Sequence, residues 1–249
     1  MIRLKNDEEI KRIRESCKML AEVYQDLIPS VEEGISTLEV NRICHDLITK
    51  RGGTPAFLDY SGYPASICIS INDEVIHGIP SDRVIKDGDL VSLDLGIDLK
   101  GYFSDSAITV PVGNISPDAK KLIEVTKQAL SAGIDACVHG NRIKDISASV
   151  FKVADKHNYG VVREFCGHGV GFEVHESPQI PNYVHPGPNP RIKKGMVLAI
   201  EPMINLGTEK VNILDDDWTV VTADGKISAH FEHTLAVFED HTEILTIPG

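Results

Sequence analysis

The stretch 91–105, VSLDLGIDLKGYFSD, carries the alternating apolar positions of two β-strands around a tight turn. The alternation is inverted where it matters, because Asp94 stands among Leu93, Leu95 and Ile97, and Asp105 follows eleven residues on. Asp98-Leu99-Lys100-Gly101 has turn chemistry, with Asp first and Gly fourth. If Asp98 pairs with Gly101, Asp94 pairs with Asp105, and directly opposed residues have Cβ atoms about 4.5–5.5 Å apart. Like charges so placed destabilise a sheet, so the pair must share a proton or hold a multivalent cation. A bulge at Gly101 would shift the register by one and separate them.

The pattern recurs. VIKDGDLVSLDLGI at 84–97 and RIKKGMVLAIEPMI at 191–204 match at an offset of 107, with Ile85/Ile192, Lys86/Lys193, Gly88/Gly195 and Ile97/Ile204 identical and Asp94 falling on Glu201. Upstream, VEEGISTLEV at 31–40 echoes CVHGNRIKDI at 137–146, with Gly34 on Gly140. Asn6-Asp-Glu-Glu9 reads as a capping box opening a helix to about residue 28, and Ser116-Pro117 as an N-cap with proline at the first helical position. Second helices are expected near 37–50, where Ser36 and Glu39 form another box, and near 143–157. The expectation is an α+β chain, residues 1–249 forming a single domain. It would be built by internal duplication, with halves at about 1–112 and 113–249. Antiparallel strands would be covered by helices, and Asp94 and Glu201 would face a shared centre.

Composition narrows the classes. A net charge of −12 argues against a broad nucleic-acid-binding face, so no DNA partner is expected. The N-terminus MIRLKNDEEIKRIRES lacks the apolar core of a signal peptide, and no apolar run is long enough for a membrane span. Cys17, Cys44, Cys68, Cys137 and Cys166 are widely spaced with no C-x-x-C, which reads as buried thiols in a reducing, cytoplasmic setting.

Three more residues join the two aspartates. Glu201 lies in the apolar run GMVLAIEPMI, Glu232 in SAHFEHTLAVF, and His168 in FCGHGVGFEVH, where glycines permit close approach of backbone or ligand. Each alone is unremarkable: a lone acid in an apolar run usually ends a strand or is salt-bridged, and a Gly-flanked His usually belongs to a loop. Together, four acids and one imidazole suit two divalent ions with bridging carboxylates. A two-carboxylate proton-sharing dyad leaves Glu201, Glu232 and His168 without a reason.

With LDLG at Asp94, FSDSA at Asp105, GHGVG at His168, AIEP at Glu201 and FEHT at Glu232, spaced 11, 63, 33 and 31 residues apart, the chain resembles the short, type I methionine aminopeptidases. ISINDEVIHGIP at 69–80 strengthens the likeness, which runs from the first helix to just beyond Glu232. The resemblance implies the pita-bread fold, with two pseudo-symmetric halves, and a cytoplasmic, monomeric hydrolase that trims the N-terminal methionine of nascent peptides whose second residue is small. It also implies transient contact with the ribosome. Two divalent ions are implied as cofactors, iron(II), manganese(II), cobalt(II) and zinc(II) all remaining open, with carboxylate dominance leaning toward iron or manganese. One ion would lie on Asp94, Asp105 and Glu232, the other on Asp105, Glu232, His168 and Glu201, with a shared water or hydroxide between them. Glu201 would act as general base, His175 would stabilise the tetrahedral intermediate, and His77 would stand near the departing amide nitrogen. Tyr60, Tyr63, Cys68 and Trp218 would form the methionine pocket. Ser61, Val174 and Phe57 depart from residues common in that family and put the pocket mouth, not the reaction, in question.

Other signals carry less. GHGVGF fails as a dinucleotide fingerprint at Phe172, His175-Glu176 fails as H-E-x-x-H at Gln179, and no G-x-S-x-G or Walker sequence occurs. PNYVHPGPNPRIKKG at 181–195 reads as a surface loop and Asp215-Asp216-Asp217 as a solvated turn. The alternatives on one scaffold are an X-prolyl aminopeptidase or prolidase, which usually carries a large extra N-terminal domain, and a binding module without catalysis.

Overall fold

A computed structural model describes residues 1–247. Among the described residues four long helices cover four antiparallel sheets, which meets the α+β expectation. Helix α1 (Asp7–Leu27) opens on the expected capping box: the Glu9 N–H donates to Asn6 Oδ1 at 3.0 Å and the Asn6 N–H to Glu9 Oε2 at 2.7 Å. Helix α2 (Thr37–Lys50) forms only half of its box. Ser36 Oγ accepts from the Glu39 N–H at 3.2 Å, but the Glu39 carboxylate takes the Arg42 guanidinium instead of turning back. Ser116 caps α3 (Pro117–Ala136), and α4 runs from Ile143 to Asp155.

The central hairpin joins Leu90–Leu99 to Tyr102–Pro111, and its register corrects the one read from the sequence. Leu99 faces Tyr102, so Gly96 lies opposite Asp105 and Asp94 opposite Ala107. Lys100 and Gly101 are the central turn residues, with φ of 57° and 83°, the positive pair of a type I′ turn whose twist matches the strands. Asp98 contributes by accepting the Gly101 N–H on its side chain at 2.7 Å rather than by pairing with it. The shift is two residues, an even number, so both aspartates stay on one face as diagonal neighbours instead of directly opposed.

The inverted alternation now has its cause: the Leu90–Leu99 strand is covered on both faces. Val91, Leu93, Leu95 and Ile97 are fully buried against Leu20 and Val23 of α1 and Val40, Cys44 and Ile48 of α2. Asp94 and Gly96 point the other way. In the second half Leu198 and Ile200 pack similarly against Leu122 and Leu130 of α3 and Ile146 and Val150 of α4. Matched backbone bonds recur in the two halves. The Gly34 N–H donates to Ile85 O at 2.9 Å and the Gly140 N–H to Ile192 O at 3.0 Å. The return bonds run from the Ile85 N–H to Ile35 O at 2.9 Å and from the Ile192 N–H to Asn141 O at 2.7 Å.

The edge of the hairpin is tied to the second half through residues 230–234. The Glu232 N–H donates to Ala107 O at 2.9 Å, Ser106 Oγ to Glu232 O at 2.7 Å, and Thr234 Oγ1 to Asp105 O at 2.7 Å. The five-stranded sheet beyond runs in the order Thr242–Ile244, His233–Val237, Val197–Ile200, Gly167–Gly169, Glu176–Ile180. Among the described residues no helix is long and apolar enough to cross a membrane. The 181–195 stretch is largely irregular, as expected of a loop, although Pro181, Asn182, Ile192 and Gly195 within it are buried.

Candidate metal centre

The five predicted ligands converge at the floor of one pocket. Asp94 and Asp105 come from the hairpin. His168 comes from the short strand Gly167–Gly169, not from a loop. Its glycines are required by backbone proximity: a Cβ at Gly167 would lie 2.4 Å from Ala199 O, and one at Gly169 2.5 Å from Ser177 O. Glu201 stands one residue beyond the Val197–Ile200 strand, whose ladder cannot continue through Pro202, which lacks an N–H. Glu232 sits between the strands Ser228–His230 and His233–Val237 rather than within one.

Three sets of side chains bring their donor atoms within 4.8 Å of one another: Asp94, Asp105 and Glu232; His168, Glu201 and Glu232; and Asp105, His168 and His175. The first brings together the three residues expected around one ion, and the second three of the four expected around the other, without Asp105; Glu232 is common to both. The third brings in His175, which the sequence reading kept apart from the ligands. Asp94 Oδ1, Asp105 Oδ1 and Glu232 Oε1 are buried and have no hydrogen-bond partner among the described residues. Buried, unpartnered carboxylate oxygens facing one another are costly alone and are the hard donors a divalent cation takes. The residues therefore fit a metal.

The electrostatics agree. Burial, then the charges of Asp94 and Glu201, raise the Asp105 carboxyl well above its ordinary range. Burial, then Asp105, does the same to Glu232. Burial pushes Asp94 up to about 7 and Glu201 up to about 8. A multivalent cation among them would reverse that direction. Burial, then the neighbouring His175, lowers His168 to about 3, so its ring is neutral. The 3.4 Å approach of His168 Nε2 to Glu201 Oε1 and the 3.8 Å approach to Asp105 Oδ2 are therefore not ion pairs. His168 Nδ1 lies 2.9 Å from Gly169 O, which can only accept, so Nδ1 carries the proton and the Nε2 lone pair faces the carboxylates.

Above the floor, His175 Nδ1 lies 2.9 Å from the Tyr60 hydroxyl, and its ring centroid 4.3 Å from that of His168. His77 adopts a left-handed backbone with φ 58°, sparse territory for a non-glycine residue. Its ring meets Trp218 edge-on at 6.1 Å and Phe165 at 5.5 Å, and burial lowers its pKa to about 4. Trp218 also packs edge-on against Tyr63 at 5.1 Å, so it is a pocket wall and not an exposed loop aromatic. Tyr63, Cys68, Phe57 and Val174 form one buried cluster with it, while Tyr60 and Ser61 stand at the mouth. Asp216 is the turn residue expected, accepting the Trp218 N–H at 2.9 Å and the Thr219 N–H at 2.8 Å.

Two residues escaped the sequence reading. His230 is 1% exposed, with Nε2 3.6 Å from Glu201 Oε2. Its position two residues before Glu232, in SAHFEHT, was the available signal. Asn182, also 1% exposed, donates from Nδ2 to Glu201 O at 3.0 Å, and nothing in PNYVH announced it.

An antiparallel α+β fold with a buried carboxylate–imidazole cluster at the base of an aromatic pocket defines a metal-dependent hydrolase. Residues 11–239 match metallopeptidase family M24, and the chain belongs to that family. It is 55% identical to a methionine aminopeptidase of Treponema pallidum, an alignment covering 100% of this chain and 97% of the relative. The crystal structure of a methionine aminopeptidase from Rickettsia prowazekii superposes with a TM-score of 0.97 at 39% identity, covering 99% of this chain and 100% of that one. A prolidase from Pyrococcus furiosus shares the pita-bread fold at a TM-score of 0.80 and 25% identity, with 99% of this chain covered but 66% of the prolidase.

Proposed function

We propose that the chain is a methionyl aminopeptidase that removes the N-terminal methionine from peptides with a small second residue, using two divalent ions. The carrying observation is the juxtaposition of the five-residue donor cluster with the Tyr63–Cys68–Trp218 wall in one pocket. On this reading Asp94, Asp105 and Glu232 hold one ion, and Asp105, Glu232, His168 and Glu201 the other. When bound, such a pair lowers the pKa of a water and polarises the scissile carbonyl; iron(II) or manganese(II) suits the carboxylate-rich set, cobalt(II) and zinc(II) remaining open.

The chain's own residues supply the rest. Glu201 takes the water proton and returns it to the leaving amine. His175, oriented by Tyr60, donates a hydrogen bond to the developing oxyanion. His77 faces the departing amide nitrogen from its strained backbone. Aromatic faces and the Cys68 thiol match a flexible thioether, with Phe57 and Val174 buried in the same cluster. The recurrent Gly34–Ile85 and Gly140–Ile192 bonds support a duplicated unit forming one catalytic domain. A monomer in the cytoplasm, meeting nascent chains by transient ribosome contact, completes the reading.

The test is mass-spectrometric cleavage of Met-Gly-, Met-Lys- and Ala-Pro-led peptides, before and after chelation and metal add-back. Methionine is expected to leave only the Met-Gly peptide, in a reaction abolished by chelator and restored by metal. Cleavage of the Ala-Pro peptide would move the chain to the prolidase side of the fold. No cleavage with any metal would make it a binding module.

A further inference from the structure

His230 has no part in the mechanism above, yet it is the most tightly placed imidazole in the centre. Its backbone is fixed from both sides: the His230 N–H donates to Thr109 Oγ1 at 2.9 Å, and Thr109 Oγ1 donates back to His230 O at 2.9 Å. The residue also pairs with Met203 across the strand ladder. The residue is 1% exposed, and neither ring nitrogen has a hydrogen-bond partner among the described residues. A buried imidazole with both nitrogens idle costs free energy that a core side chain of the same size would not. The nearest acid is the Glu201 carboxylate, whose Oε2 lies 3.6 Å from Nε2 while its Oε1 lies 3.4 Å from His168 Nε2, and the Asp94 charge also acts on the ring.

We propose that His230 is a positioning residue for Glu201: its Nε2–H holds Oε2 and so turns Oε1 toward the metal centre beside His168. At 3.6 Å the contact is short of a hydrogen bond. The carboxylate's terminal torsion is soft, so a small rotation closes the gap at little cost. Asn182 already holds the Glu201 backbone through its carbonyl at 3.0 Å, and the orientation of the carboxylate is left to side-chain contacts. Glu201 is asked both to hold an ion and to carry a proton, and a carboxylate with both oxygens free to exchange serves neither role well. Outer partners of ligating carboxylates typically contribute about 10–100-fold to metal affinity or activity.

The inference rests on the metallopeptidase reading, and two amide substitutions isolate the atom it names. In His230→Gln the amide nitrogen replaces Nε2, whereas in His230→Asn it falls near Nδ1 and is too short to reach Glu201. Metal-free wild type and both variants are titrated with manganese(II) by calorimetry, and kcat and KM are measured on Met-Gly-Met. The glutamine variant is expected to stay within a few-fold of wild type. The asparagine variant is expected to lose about 10–100-fold in affinity for one ion and to lose kcat with KM little changed. Wild-type-like metal affinity and kcat in the asparagine variant, or equal damage in both, would overturn the role given to Nε2. Absence of manganese binding and cleavage in wild type would instead overturn the proposed function itself.

Discussion

The hairpin carboxylates and the second-half carboxylates reach the same centre by opposite means. Asp94 sits mid-ladder, paired with Cys68 on one side and Ala107 on the other, and Asp105 is likewise held opposite Gly96. Glu201 and Glu232 sit where ladders stop, at Pro202 and between two short strands. The hairpin residues thus have their backbones set by regular pairing, while Glu201 has a hydrogen bond from Asn182 to its carbonyl and the ring nitrogens of His168 and His230 at 3.4 and 3.6 Å from its carboxylate. On the proposed reading, the carboxylate that carries the proton is thus one whose backbone lies outside the ladders and whose placement falls to side-chain contacts.

The sharpest way to separate the two regions is to remove the imidazole from the second. His168→Ala should lower turnover of a Met-Gly peptide by more than about 100-fold, since losing even an outer partner of a ligand typically costs 10–100-fold. Circular dichroism should show the fold retained, and full turnover in this variant would contradict the division of ligands. Next in size, His175→Ala should reduce kcat by about 10²-fold, the scale of losing one oxyanion donor, with metal content unchanged by elemental analysis. A parallel loss of both would make His175 a ligand, as its proximity to Asp105 and His168 allows.

On the hairpin side, Asp94→Asn should lower the occupancy of one ion while His168 still serves the other, read as reduced stoichiometry in calorimetry. Unchanged stoichiometry would deny Asp94 its role. Gly167→Ala tests the backbone crowding beside His168. Its Cβ would meet Ala199 O, so a loss of about 1–3 kcal/mol in unfolding free energy is expected by chemical denaturation. No loss would mean that the strands can part freely.

The smallest effect is electrostatic. Unfolded carboxyls titrate near 4, whereas Asp94 and Glu201 in the metal-free fold are pushed up to about 7 and about 8. Folded-state values raised above unfolded ones give stability that is present below the unfolded pKa and lost as pH rises through the folded one. From about pH 6.5 to 8 the lowered imidazoles of His77, His168, His175, His230 and His233 act in the opposite sense, but unfolded imidazole is already about half neutral at pH 6.5, so they offset only part of a slope to which the raised Asp105 and Glu232 also contribute. The Tm of chelator-treated protein should therefore fall over that window, and metal should raise it more at pH 8 than at pH 6.5. A rising Tm would show that these carboxyls are not held protonated.

Much of this was legible in the chain because its signals are local. Asn6 with Glu9 and Ser116 with Pro117 marked helix starts that the structure keeps, and the apolar positions 91, 93, 95 and 97 marked a buried strand face. Asp94, Glu201 and Glu232 stood out as acids in apolar runs and His168 as an imidazole between glycines, whereas Asp105, between two serines, emerged through its expected pairing with Asp94. The hairpin register was misread because Asp98 and Gly101 suit a four-residue turn in composition, while the positive φ of Lys100 closes a tighter one. His230 and Asn182 were missed because their roles arise from contacts between segments 19 to 29 residues from Glu201, which no local pattern encodes.

The most direct measurement is anomalous X-ray scattering at the manganese edge from crystals of the manganese-loaded protein. The account predicts two peaks, one enclosed by Asp94, Asp105 and Glu232 and the other by Asp105, Glu232, His168 and Glu201. A single peak at full loading, or peaks away from these side chains, would contradict it.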